Sequence, residues 1–113
     1  MEVDVFFVAQ SPLGITVKCT VEQWEAHILA GHANMAGRHE DVANAIRDPS
    51  WIFRSLSYPQ TRDVYFSQPV GNREFLKVVV ENQATVSEVV SAWLQAEIRG
   101  NIGEVVYAKS KLR

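Results

Sequence analysis

The amino-acid sequence predicts an α+β domain in which an N-terminal hairpin and two short helices pack on one face of an antiparallel meander sheet of about four strands. Three observations carry that expectation. Helical spacing of apolar residues is confined to the part before Pro49, and β-branched and aromatic runs dominate after it. The segments between those runs are too short for the dozen or so residues that a parallel crossover needs.

The elements follow in order. Val3, Val5 and Phe7 alternate along the chain, Ser11-Pro12-Leu13-Gly14 is a turn, and Ile15-Thr16-Val17-Lys18 resumes the alternation, which predicts a short hairpin. Thr20-Val21-Glu22-Gln23 matches a capping box: Thr20 can accept from the Gln23 amide while the Gln23 side chain returns to the Thr20 amide. Val21, Trp24 and Ile28 then fall on one helical face, and Gly31 is placed to be a left-handed C-terminal cap. A second helix is expected from about Glu40 to Arg47, with Val42, Ala45 and Ile46 inward, and Asp48-Pro49 ends it because a residue before proline disfavours helical backbone.

Strands are expected at Trp51 to Leu56, Val64 to Ser67, Phe75 to Glu81 and Val86 to Trp93. Turns at Tyr58-Pro59-Gln60, Pro69-Val70-Gly71-Asn72 and Asn82-Gln83-Ala84 separate them, and Glu104 to Tyr107 would be a last edge strand. Alternation assigns faces. Leu76, Val78 and Val80 form one apolar row, and Val90, Ala92 and Leu94 another, both expected to face the helices. In the preceding strand Val64 and Phe66 would join them. The open face would then carry Asp63, Tyr65, Ser67, Phe75, Lys77, Val79, Val89, Ser91 and Trp93, with Arg62 at a loop edge. Such a surface can stack a base and neutralise a phosphate, as sheet-based RNA binders do. The alternative is an ordinary half-exposed sheet face.

Length and composition set limits on function. The 113 residues, 47% hydrophobic and 21% charged, fit a single domain spanning residues 1–113 and exclude a disordered or fibrous chain. No apolar run approaches the ~20 residues of a membrane span. The N-terminus MEVDVFF carries acids where a signal peptide needs bases, and Cys19 has no partner cysteine, so a reducing cytoplasm is expected. The net charge of −2 argues mildly against nucleic-acid binding. It hides an asymmetry: up to residue 46 two bases face six acids, and beyond it nine face seven, ending in Lys109, Lys111 and Arg113. An anionic ligand would favour the second half.

His27 and His32 lie in and just beyond the first helix, and five residues on an ideal helix turn through about 140°, so they do not form a same-face metal pair. Cys19 and the scattered acids complete no metal motif, and there is no glycine-rich phosphate loop, nucleophile elbow or dinucleotide fingerprint. A histidine at a helix C-terminus has its protonated form stabilised by the dipole, which suits a general acid.

The ordered segments TVEQWEAHILAGH, VANAIRDPSWIFRS, TRDVYF, FLKVVVE and VVSAW, spanning residues 20 to 93, with VYAKSK near the end, resemble the small phage-associated nucleases of the Barnase–EndoU–colicin–RelE (BECR) superfamily. That resemblance implies N-terminal helices before a four-stranded antiparallel sheet, and metal-independent ribonuclease activity of the kind found in toxins. It further implies a catalytic set of His27 or His32 with Arg62, Tyr65, Lys77 and Ser91, the last standing where related sequences tend to carry threonine. An RNA substrate and an inhibitor or antitoxin protein are the expected partners, with no cofactor, no metal and no membrane. The expected reaction is attack of a 2′-hydroxyl on the adjacent phosphate, giving a 2′,3′-cyclic phosphate and a 5′-hydroxyl. A non-catalytic module of the same fold, binding RNA or a protein, is the alternative.

Overall fold

A computed structural model describes residues 4–71 and 73–109. Val3 of the expected first strand, Asn72 of an expected turn, and Lys111 and Arg113 of the basic tail lie outside the described residues. Hairpin strands β1 (Val5–Gln10) and β2 (Thr16–Thr20) pair antiparallel around a turn closed at Gly14, whose φ of 80° a glycine adopts without strain. A helical stretch follows whose central part, Gln23–Leu29, is π-helical. The Gln23 amide donates to Thr20 Oγ1 at 3.0 Å, which is one half of the capping box. The other half does not form, because the Gln23 side chain donates instead to the Val90 carbonyl and ties the helix to the sheet. Gly31 does not take the left-handed conformation expected of it; that conformation appears at Gly37, after a 3-10 turn at Ala33–Met35. Helix α1 (His39–Arg47) buries Val42, Ala43, Ala45 and Ile46.

The remaining strands are β3 (Trp51–Ser55), β4 (Arg62–Phe66), β5 (Phe75–Glu81), β6 (Ser87–Gln95) and β7 (Ile102–Ala108). They do not make the expected four-stranded antiparallel sheet with a separate hairpin. One mixed sheet of seven strands forms, in the order β1-β2-β6-β5-β4-β3-β7. The hairpin enters it through a short parallel contact, Val17 opposite Ser87 and Lys18 opposite Glu88, braced by the Lys18–Glu88 ion pair. The intervening helices and meander supply the long connection that a parallel pair requires. At the other edge β7 pairs with β3. Since β6 is third in the order and β7 last, residues 96–101 cross about 19 Å of sheet, four strand spacings, with a reach of roughly 25 Å. They take a direct path over the face opposite the helices.

Each face therefore has its own core. On the helix side Trp24, Ile28, Met35, Val42 and Ile46 close over Val17, Ile52, Leu76, Val78, Val80, Val89 and Ala92. On the crossover side Phe53, Val64 and Phe66 pack with Trp51, Phe75, Ile98 and Ile102. Two phasing expectations fail for this reason. Tyr65 pairs with Val78 and Asp63 with Val80, so these two face the helices while Val64 and Phe66 face the crossover. In β6 a bulge sets Val79 opposite Ser91 but Val80 opposite Val89. The extra residue, Val90, shifts the alternation, and Val89 enters the helix-side core in its place.

Candidate functional site

The six candidate residues divide into three groups. Tyr65 is fully buried on the helix side, donating its hydroxyl to Ser11 Oγ at 2.8 Å. Its phenol is pushed up to about 12, chiefly by burial, with the Ser11 hydrogen bond opposing the rise and the nearby Asp63 carboxylate adding to it. It belongs to the core. Asp63 is also buried there, accepting from Arg54 Nη1 at 3.0 Å and Asn82 Nδ2 at 2.8 Å, while Asn82 accepts from Ser87. That network has its partners and is structural.

Arg62 lies on the crossover face, but at the end of β4 distant from the other candidates. It is paired with Glu81 and stacked 4.5 Å from the centre of the Tyr58 ring. Glu81 is four residues along β5 from Lys77, which sets Arg62 about 13 Å from Lys77 along the strands. His27 is exposed on the π-helical segment.

The third group converges on Trp93. Beyond Glu88 the free edge of β6 is covered by the π-helix rather than by β2, and the chain leaving that helix carries His32 onto the Trp93 ring. The two rings stack with centroids 5.4 Å apart and planes 18° apart. Trp93 is opposite Lys77 in the β5–β6 ladder, and the Lys77 Nζ lies 5.1 Å from the centre of the same indole. Ser91, two residues before Trp93, shares its face and is partly exposed. Half-buried aromatic and hydroxyl groups thus border one patch.

Lys77 is on the expected face but not open to solvent: only 4% of it is exposed. Its ammonium donates to the Arg99 carbonyl at 3.0 Å and the Gly100 carbonyl at 2.7 Å, under the crossover. Phe66 lies 5.7 Å away on the same face. Burial pulls the ammonium below its usual range, and the positive charge of Arg99 adds to the effect. Gln95 holds the same segment, accepting from Trp93 Nε1 at 3.1 Å and donating to the carbonyls of Glu97 and Arg99. Lys77 is thus a strut for the crossover beneath the patch.

Arg99 itself was not singled out from the sequence. The available signal was a cation beside Gly100 in the connection that leaves the last long apolar strand. Among the described residues no cluster of three or more His, Cys, Asp and Glu is arranged to hold a metal ion, and no helix is long and apolar enough to cross a membrane. Comparison with known protein families, with characterised proteins and with solved structures found no match.

Proposed function

We propose that the chain is an endoribonuclease that works without a metal, with His32 as the proton-transfer residue. The observation that carries this reading is the placement of His32 on Trp93, with Ser91 two residues away on the same strand face. Imidazole as a class exchanges protons near neutral pH, which general acid–base catalysis requires. The Trp93 indole, with His32 stacked on one side and Lys77 on its ring, fixes the imidazole at the edge of the patch. RNA brings its own nucleophile. His32 would take the proton of a 2′-hydroxyl, whose oxygen attacks the adjacent phosphorus. The bond to the 5′-oxygen breaks, that oxygen takes a proton from solvent water while protonated His32 gives its proton to the hydroxide left behind, and a 2′,3′-cyclic phosphate and a 5′-hydroxyl result. Ser91 would hydrogen-bond a non-bridging phosphate oxygen. Lys77 supports the site from beneath, Tyr65 lies in the core, and Arg62 is too far along the sheet to share the same phosphate. A reducing cytoplasm, where RNA is at hand and the lone Cys19 stays a thiol, is the compartment we assign.

A non-catalytic RNA- or protein-binding module is the second reading, favoured by the engagement of Lys77 with carbonyls and of Arg62 with Glu81. End-labelled tRNA and mRNA incubated with purified protein in EDTA separate the two. Cleavage should fall roughly 10²- to 10⁴-fold in His32→Gln and stay near the wild-type rate in His27→Gln. Loss in His27→Gln alone would transfer the role to that residue. No cleavage by folded wild-type protein would leave the binding module.

A further inference from the structure

We propose that Arg99, on the crossover, is the phosphate-binding cation of the Trp93 patch; this rests on the ribonuclease reading for its substrate but not for its geometry. Three observations place it there. The Arg99 carbonyl accepts from both Lys77 Nζ and Gln95 Nε2, and both donors are tied to Trp93, the first lying by its ring and the second belonging to the side chain that accepts from its indole N–H. The Arg99 backbone is thus pinned beside the indole at two points. Its side chain, by contrast, is 77% exposed and, among the described residues, pairs with Glu97, 3.1 Å away and itself 70% exposed. An exposed ion pair of this kind contributes little and exchanges readily for another anion. Finally, Arg99 and Lys77 are two like charges in one small region, with the Lys77 ammonium under the segment that carries Arg99. An anion bound between strap and patch would relieve that repulsion, and a guanidinium binds phosphate through paired N–H donors.

Lys77, expected from the sequence to act on the phosphate together with Arg62, holds the crossover backbone, and Arg99 reaches outward. Arg62, also on this face, keeps its own carboxylate and its own end of the sheet.

The test uses the full chain labelled with 15N, following the arginine Nε–H and tryptophan Nε1–H signals. The probes are inorganic phosphate and a 2′-O-methyl RNA trinucleotide that cannot be cut by its own 2′-hydroxyl. Both should shift the Arg99 and Trp93 signals saturably, the trinucleotide at lower concentration. Arg99→Ala should weaken both by at least tenfold without lowering thermal stability, Arg99→Lys should keep part of the affinity, and Glu97→Gln should tighten binding severalfold. Saturable shifts at other arginines only, or equal affinity in Arg99→Ala, would overturn the proposal. So would an absence of saturable binding. The two readings fail separately. Phosphate binding at Arg99 in a protein that cuts no RNA would refute the ribonuclease and keep this site, while normal cleavage and binding by Arg99→Ala would do the reverse.

Discussion

Tyr65 and Lys77 show how a residue's role depends on what the opposite side of its strand packs against. In TRDVYF alternation favours Val64 and Phe66 over Asp63 and Tyr65 for the helix-side core, yet both rows are buried because each sheet face has a core of its own. Pairing with Val78 sets Tyr65 on the helix side, as a buried donor to Ser11. Tyr65→Phe is expected to cost about 1 kcal/mol in denaturant unfolding, the usual net worth of such a hydrogen bond, and to leave RNA cleavage unchanged. Its titration has a further consequence. The phenol is raised from 10.0 to about 12 in the folded chain, so its contribution to stability is complete below pH 10 and is lost as the pH rises toward 12. Cys19 acts in the same direction, its thiol being raised from 9.0 to about 12 by burial and then by the Glu88 charge. Stability measured from pH 9 to 12 should therefore fall, and Tyr65→Phe should make the fall shallower above pH 10. Lys77 was legible as a cation on the aromatic face. What covers it was not, because the crossover comes from a sequence-distant, polar segment. Lys77→Met removes the donor for two carbonyls and should lower stability by roughly 1–3 kcal/mol at an unchanged denaturant slope.

At the scale of elements, the crossover and the π-helix are the parts the sequence did not disclose. The helix was legible from Thr20, Trp24 and Ile28, yet its widened turn was not, and Gln23 at the start of that turn donates to the Val90 carbonyl, a partner 67 residues away. That same region of β6 holds the bulge, whose extra residue Val90 broke the expected alternation. A bulge leaves no mark in a run such as SEVVSAWLQ, where apolar residues stand on both faces. Two glycines contrast usefully here. Gly100 has a φ of 96°, and a Cβ at that position would lie 2.7 Å from Lys77 Nζ. Gly100→Ala should then destabilise by roughly 1–3 kcal/mol, chiefly through its left-handed backbone, since the Lys77 ammonium is the far end of a flexible chain and can shift. Gly31 is helical with open space around its Cα, so Gly31→Ala should stabilise by about 0.5–1 kcal/mol. Equal unfolding midpoints for the two variants would contradict this account of the crossover.

Across the whole molecule, the antiparallel run from β3 to β6 follows from short turns and could be read in the sequence, whereas the full sheet could not. Its hairpin joins through two residue pairs, and its last strand reaches the far edge by passing over a face expected to be open. Both are long-range events set by packing, with no local signature. The charge asymmetry keeps its meaning in the folded chain, since Arg62, Lys77 and Arg99 all come from the more basic second half. The helical, more acidic half contributes His32. The claim that His32 at Trp93 uses the RNA's own 2′-hydroxyl is tested most directly with a pair of oligonucleotides identical except for a 2′-deoxy sugar at the cleavage position, each incubated with the protein in EDTA. The account predicts that the normal strand is cut to a 2′,3′-cyclic phosphate and that the substituted strand survives. Cleavage of the 2′-deoxy strand at that position would contradict it, because the attacking oxygen could not then be the substrate's own.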